Sequence, residues 1–158
     1  EASFRNLDVF LTGSQLIIET ELQDAFTNDF QEVFKSGKEI RVWFKIVVMA
    51  GKKTILQNEF FHEIQFNPLS QSFTLFLEET QTTFEIEDYN ELIRTTSVVN
   101  YFYDLPDAHR DQKLTVELSS FLKKITLANL DKQVDLMMLW NYKTPFSSKE
   151  IAGHETGF

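Results

Sequence analysis

The feature that most constrains this chain is an alternation over residues 39–50. Ile40, Val42, Phe44, Ile46, Val48 and Ala50 are all apolar, whereas the odd positions open with Glu39, Arg41, Trp43 and Lys45. Successive side chains of a strand point to opposite faces, so a period of two held for this length specifies a long strand with one buried face. Gly51-Lys52-Lys53 reads as a turn into a second long run, 54–66, in which Leu56, Phe60, Ile64 and Phe66 share one side while Gln57, Glu59, Glu63 and Gln65 occupy the other. The two runs are expected to pair as an antiparallel hairpin. Asn67-Pro68-Leu69-Ser70 is turn chemistry, after which Phe73, Leu75 and Leu77 resume the alternation as a third strand of the same meander.

The flanking segments extend this pattern. Runs at 4–11 and 15–22 bracket Thr12-Gly13-Ser14 as an opening hairpin. Asn28 and Gln31 have capping-box spacing ahead of the apolar stripe Phe30, Val33 and Phe34, with Gly37 as the stop of a short helix. A strand at 83–86 leads to a second short helix, with Asp88 and Glu91 as its capping box, and runs at 98–105 and 112–119 read as further strands. Over 125–142 two periods compete. Leu127, Leu130, Val134 and Met137 fit a helix, whereas Val134, Leu136, Met138, Trp140 and Tyr142 fit a strand. The expected outcome is a short irregular or helical piece and then a last strand over about 135–143. The polar residues after Pro145 predict a flexible tail over 146–158, leaving one domain over 1–145. The fold class expected is mainly β with two short helices, an antiparallel β-sandwich or partly closed barrel of about nine strands.

Sixteen Phe stand against five Gly and three Pro in 158 residues, so one core built on large flat rings is expected. A net charge of −9 repels phosphate backbones and anionic headgroups, which argues against nucleic acid or a membrane surface as partner. With no Cys there is neither a disulfide nor a thiolate nucleophile. No apolar run reaches the length of a spanning helix, and Glu-Ala-Ser-Phe at the start has no targeting character, so no membrane insertion is expected within this chain.

Several stretches share order and spacing with one family. They are Leu22-Gln23-Asp24-Ala25-Phe26-Thr27 with a helix closing on Lys35-Ser36-Gly37, the strand Val42-Trp43-Phe44-Lys45-Ile46, and Phe61-His62-Glu63-Ile64-Gln65-Phe66-Asn67-Pro68-Leu69 leading to Ser72-Phe73-Thr74-Leu75. In these the chain resembles a bacterial family catalogued as domain of unknown function 4390, with similarity running to about Trp140. The resemblance implies a periplasmic or envelope-associated protein and carries over no catalytic residue. The short basic loop at 51–53 departs from the aromatic-rich turn of many members, which leaves any function of that turn in doubt.

Among residues that could carry chemistry, His62 lies on the face of Phe60 and Ile64 with Asn58 four positions earlier. That pair is either a polar spot in a pocket or a histidine satisfied inside the core. Trp43 with Arg41 and Lys45 has the composition of a binding hot spot, unless a second layer covers it. Asp104, Asp107, His109 and Asp111 concentrate oxygen and nitrogen donors in one loop, but the spacing fits no EF-hand and a solvated turn is expected. His109-Arg110-Asp111 mimics a kinase triplet and fails it, since Val116 stands where Asn is required. No nucleophile elbow occurs, and of the three His one is the tail residue His154. No catalytic residue, metal or cofactor is therefore expected. The first reading is a non-catalytic interaction module that docks a protein partner by an edge strand or its Trp43 face. The alternative is a carrier holding a small hydrophobic ligand or lipid in a Phe-lined cavity, and a hydrolase or metal site ranks third.

Overall fold

The computed structural model describes residues 1–27, 30–127 and 132–152. Two open antiparallel sheets face each other across the phenylalanine core. The smaller is formed by β1 (Ser3–Thr12), β2 (Gln15–Gln23) and β7 (Val98–Asp104), in the order β1-β2-β7. The larger contains β3 (Ile40–Ala50), β4 (Lys53–Asn67), β5 (Ser72–Leu77), β6 (Thr82–Ile86), β8 (Lys113–Leu122) and β11 (Phe146–Ala152), in the order β11-β8-β3-β4-β5-β6. A separate hairpin joins β9 (Lys124–Leu127) to β10 (Lys132–Asp135). Neither large sheet closes on itself, so the architecture is a sandwich and not a barrel.

The alternation sets which face is buried. In β3 every even residue from Ile40 to Ala50 is buried, and the facing residues Phe60, His62 and Ile64 of β4 and Leu114, Val116, Leu118, Ser120 and Leu122 of β8 are buried with it. Phe44 stacks on Phe60 with ring centroids 5.2 Å apart, and Phe60 meets Tyr101 of the opposite sheet at 5.1 Å. Two tyrosines of β7 also bridge the layers by hydrogen bonds. Tyr101 Oη accepts from Asn58 Nδ2 at 2.9 Å, and Tyr103 Oη donates to the Ile55 carbonyl at 3.3 Å.

The helices seal the sandwich with aromatic rings. α1 (Phe30–Phe34) buries Phe30 and Phe34 against Phe26 and Trp140, with ring centroids 5.3–6.4 Å apart. α2 (Tyr89–Ser97) starts where the Asp88 carboxylate accepts from the Glu91 amide at 3.0 Å, as the capping spacing predicts. Asn28, the cap expected for α1, lies outside the described residues.

Two expectations fail in the last third of the chain. Over 125–143 the expected order is reversed: in place of the irregular or helical piece, Lys124–Leu127 pairs with Lys132–Asp135 as β9 and β10, and in place of the strand Leu136–Trp140 is a 3-10 turn. Asp135 accepts from the Met137 amide at 3.0 Å to start the turn, and Asn141 and Tyr142 end it at φ 54° and 59°, two consecutive left-handed residues that a regular strand does not hold. Leu136 and Trp140 are buried, as the strand alternation had them, but Met138 of the same set is 53% exposed. The second failure is the tail. Phe146–Ala152 is no flexible segment but strand β11, which pairs with β8 from Phe146↔Ser119 to Ala152↔Lys113. His154, the tail histidine, is outside the described residues.

Tyr89 sits where α2 meets the core, beside Phe34 and Phe73, and its buried hydroxyl finds no partner among the described protein atoms. Burial pushes this phenol up to about 12. In an unfolded chain it ionises near 10, so its contribution to stability is complete below pH 10 and is lost as pH rises towards 12. Tyr89→Phe is expected to raise stability at neutral pH by about 1 kcal/mol and to flatten that alkaline decline. Chemical denaturation at pH 7 and pH 11 tests both; a Phe variant less stable than the parent at each pH would contradict the assignment.

Candidate functional site

The outer face of the larger sheet carries the aromatic residues that the core does not use. Because β3 pairs with β4 at Trp43↔Phe61 and with β8 at Trp43↔Phe121, three odd-parity aromatics fall in one row. Phe76 of β5 extends it. Ring centroids are 6.2 Å apart for Phe121 and Trp43, 5.2 Å for Trp43 and Phe61, and 6.1 Å for Phe61 and Phe76. The row crosses four strands, and all four side chains are half-buried. Phe146 on β11, 59% exposed, lies on the same face by its pairing with Ser119.

Cations cover the rings. Lys123 Nζ stands 3.7 Å from the Trp43 ring centroid, and the Arg41 guanidinium lies 4.0 Å from that of Phe61 and 5.8 Å from Trp43. Such contacts contribute about 0.5–1 kcal/mol when exposed. Arg41 also donates from Nε to Glu63 at 2.8 Å, its direct cross-strand neighbour. The face therefore offers flat apolar surface beside fixed positive charge, the composition in which interface anchors are enriched. Trp43 and Arg41 are brought together as the sequence suggested. Phe61, Phe76, Phe121 and Lys123 were missed, since placing them beside Trp43 needs the inter-strand register.

His62 and Asn58 are not brought into one site. His62 is fully buried, with Nδ1 donating to the Thr96 carbonyl at 2.7 Å and Nε2 set 2.8 and 2.9 Å from the two carboxylate oxygens of Glu79. Glu79, in the 3-10 turn Glu78–Thr80 after β5, has a side chain only 1% exposed. Asn58 instead bonds to Tyr101. With both ring nitrogens engaged and no exposed surface, His62 has no face to present to a solute. It holds the end of α2 and the turn after β5 to the centre of β4, which makes it a structural tie.

The loop over 104–111 does not assemble a metal centre. His109 bonds to Gln112 at 2.6 Å and Arg110 to the Gly13 carbonyl, and no cluster of three or more potential ligands occurs among the described residues. Two depressions elsewhere are open and polar, and a third of about 330 Å³ beside Leu22, Phe26 and Ile93 is more apolar. One of about 380 Å³ lies over the bulge of β1, with Arg5, Asp8 and Glu19 in its walls. Another of about 460 Å³ lies between β4 and β7 and includes Asn58, Glu59 and Glu78. Between the sheets, the room that a carrier would keep for a ligand holds Phe44, Phe60 and Tyr101 in ring contact. No helix among the described residues is long and apolar enough to cross a membrane.

Comparison with protein-family models, with curated proteins and with solved structures gave no match.

Proposed function

We propose that this domain is a non-catalytic interaction module of the bacterial cell envelope that docks a protein partner on its Trp43 face. The observation that carries the docking surface is the row Phe121, Trp43, Phe61 and Phe76, half-buried on the outside of a sheet whose core needs none of them. Outward positions on a one-sided sheet are ordinarily polar, and four adjoining rings there form an apolar patch of the kind that marks interaction sites. The envelope location rests on the family resemblance alone. Lys123 and Arg41 would set orientation by meeting carboxylates at the rim, while the rings supply the buried centre.

A photo-crosslinking residue in place of Phe121, used in envelope preparations of the native host, should give one dominant adduct. Binding of that partner, once purified, should weaken at least about 30-fold in Trp43→Ala, the effect of losing an anchor worth about 2 kcal/mol. Equal labelling from a probe at Asp8 on the opposite sheet, or full affinity in Trp43→Ala, would remove the proposal.

A further inference from the structure

We infer that the N-terminal half of β4 is a strand-addition site for an extended peptide carrying lysine or arginine. The inference does not rest on the Trp43 face, and the two can fail separately. β4 runs from Lys53 to Asn67, and β3 pairs with it from Lys53 to Ile64. On its other side β5 pairs only with His62–Asn67, ending at His62↔Leu77, where the chain leaves the sheet in the Glu78–Thr80 turn. No other strand among the described residues pairs with β4. Over Leu56–Phe61 the backbone groups that point away from β3 therefore have no strand beside them. Gln57, Asn58 and Glu59 are exposed, as an open edge requires.

The open run begins after Ile55, the residue skipped where the β3–β4 register shifts, whose carbonyl is taken by Tyr103 Oη reaching across from β7. The opening beside Asn58–Phe60 is the depression of about 460 Å³, which has β7 on its far side through Tyr101 and Phe102. Phe102 is 47% exposed there. Its walls include Glu59, Glu78 and Glu79 and no lysine or arginine. Glu79 is held by His62, which leaves Glu59 and Glu78 to face a guest. Exposed edges are commonly guarded by lysine, proline or a bulge; the bulge of β4 is confined to Ile55, and Leu56–Phe61 beyond it contains neither lysine nor proline. Main-chain pairing would supply affinity, and the two carboxylates would select a basic residue on an alternate position. The net charge of −9 favours the same sign of guest.

The test is titration of the whole domain with a capped, fluorescent peptide alternating valine and lysine. Three companions accompany it: the same peptide N-methylated at alternate residues, the peptide with glutamate for lysine, and the Glu59→Lys/Glu78→Lys domain. Saturable binding is expected, weakened at least about tenfold in each companion case, together with new protection of the Leu56–Phe60 amides from hydrogen exchange. N-methylation alters only the peptide, so its effect is independent of how any variant folds. Absence of saturation up to millimolar peptide, binding that survives N-methylation, or protection confined to other segments would each overturn the inference.

Discussion

Glu79→Ala is expected to destabilise the domain by about 3 kcal/mol, the upper end of what a buried polar group left without its partner costs. The Glu79 side chain is 1% exposed and that of His62 is not exposed at all, so water cannot replace the lost carboxylate. A carbonyl oxygen only accepts, which commits Nδ1 of His62 to donate to Thr96 and leaves Nε2 facing the vacated position. Glu79→Gln keeps an acceptor and should cost less. Replacing both residues with apolar ones, as in His62→Phe/Glu79→Leu, should recover much of the loss, because what the single variant suffers is an orphaned polar group. Urea unfolding of His62→Phe, Glu79→Leu and the double gives the coupling energy directly. A loss below about 1 kcal/mol in Glu79→Ala, or additivity in the cycle, would show that the pair does not tie the structure.

Phe44→Ala is the second large effect, about 3–5 kcal/mol. The ring lies on the buried face of the central strand, stacked on Phe60 at 5.2 Å and set against the His62 ring at 4.7 Å. Both neighbours are held in place, Phe60 by Tyr101 and His62 by Glu79 and Thr96, so the site cannot collapse to fill the void. Where relaxation is blocked, the cavity adds its own cost to the lost transfer energy. Benzene should bind in the void, beside Phe60, and restore part of the lost melting temperature. A Phe44→Ala domain that unfolds as the parent does would mean that the rings do not pack as described. Ligand-dependent stabilisation of the parent itself would instead favour the carrier reading over the docking one.

What the sequence disclosed tracks how local each determinant is. The β3–β4 meander was legible because its parity is written in consecutive residues, and the Asp88 cap because donor and acceptor lie three positions apart. The partner of His62 was not, since Glu79 arrives from a turn seventeen residues on and is selected by topology. The aromatic row was half legible. Trp43 with Arg41 stood out on one strand, but Phe61, Phe76 and Phe121 join them only through register. β11 was hidden for a different reason. Ser147, Ser148, Lys149 and Glu150 have little strand character of their own, and the segment is a strand because β8 offers it a line of backbone partners.

The position of β11 has a consequence for the order of events when the chain is made. β11 completes one side of the larger sheet and lies next to β1, so the first and last described strands become neighbours across almost the whole sequence. Contacts of such separation close slowly, which places folding in the millisecond-to-second range typical of sandwiches. Synthesis proceeds at about 5–20 residues per second, so β8 spends seconds on the ribosome as an unpaired sheet edge. In that interval the nascent chain exposes a long alternating strand that the finished protein conceals, and chaperone demand should peak there.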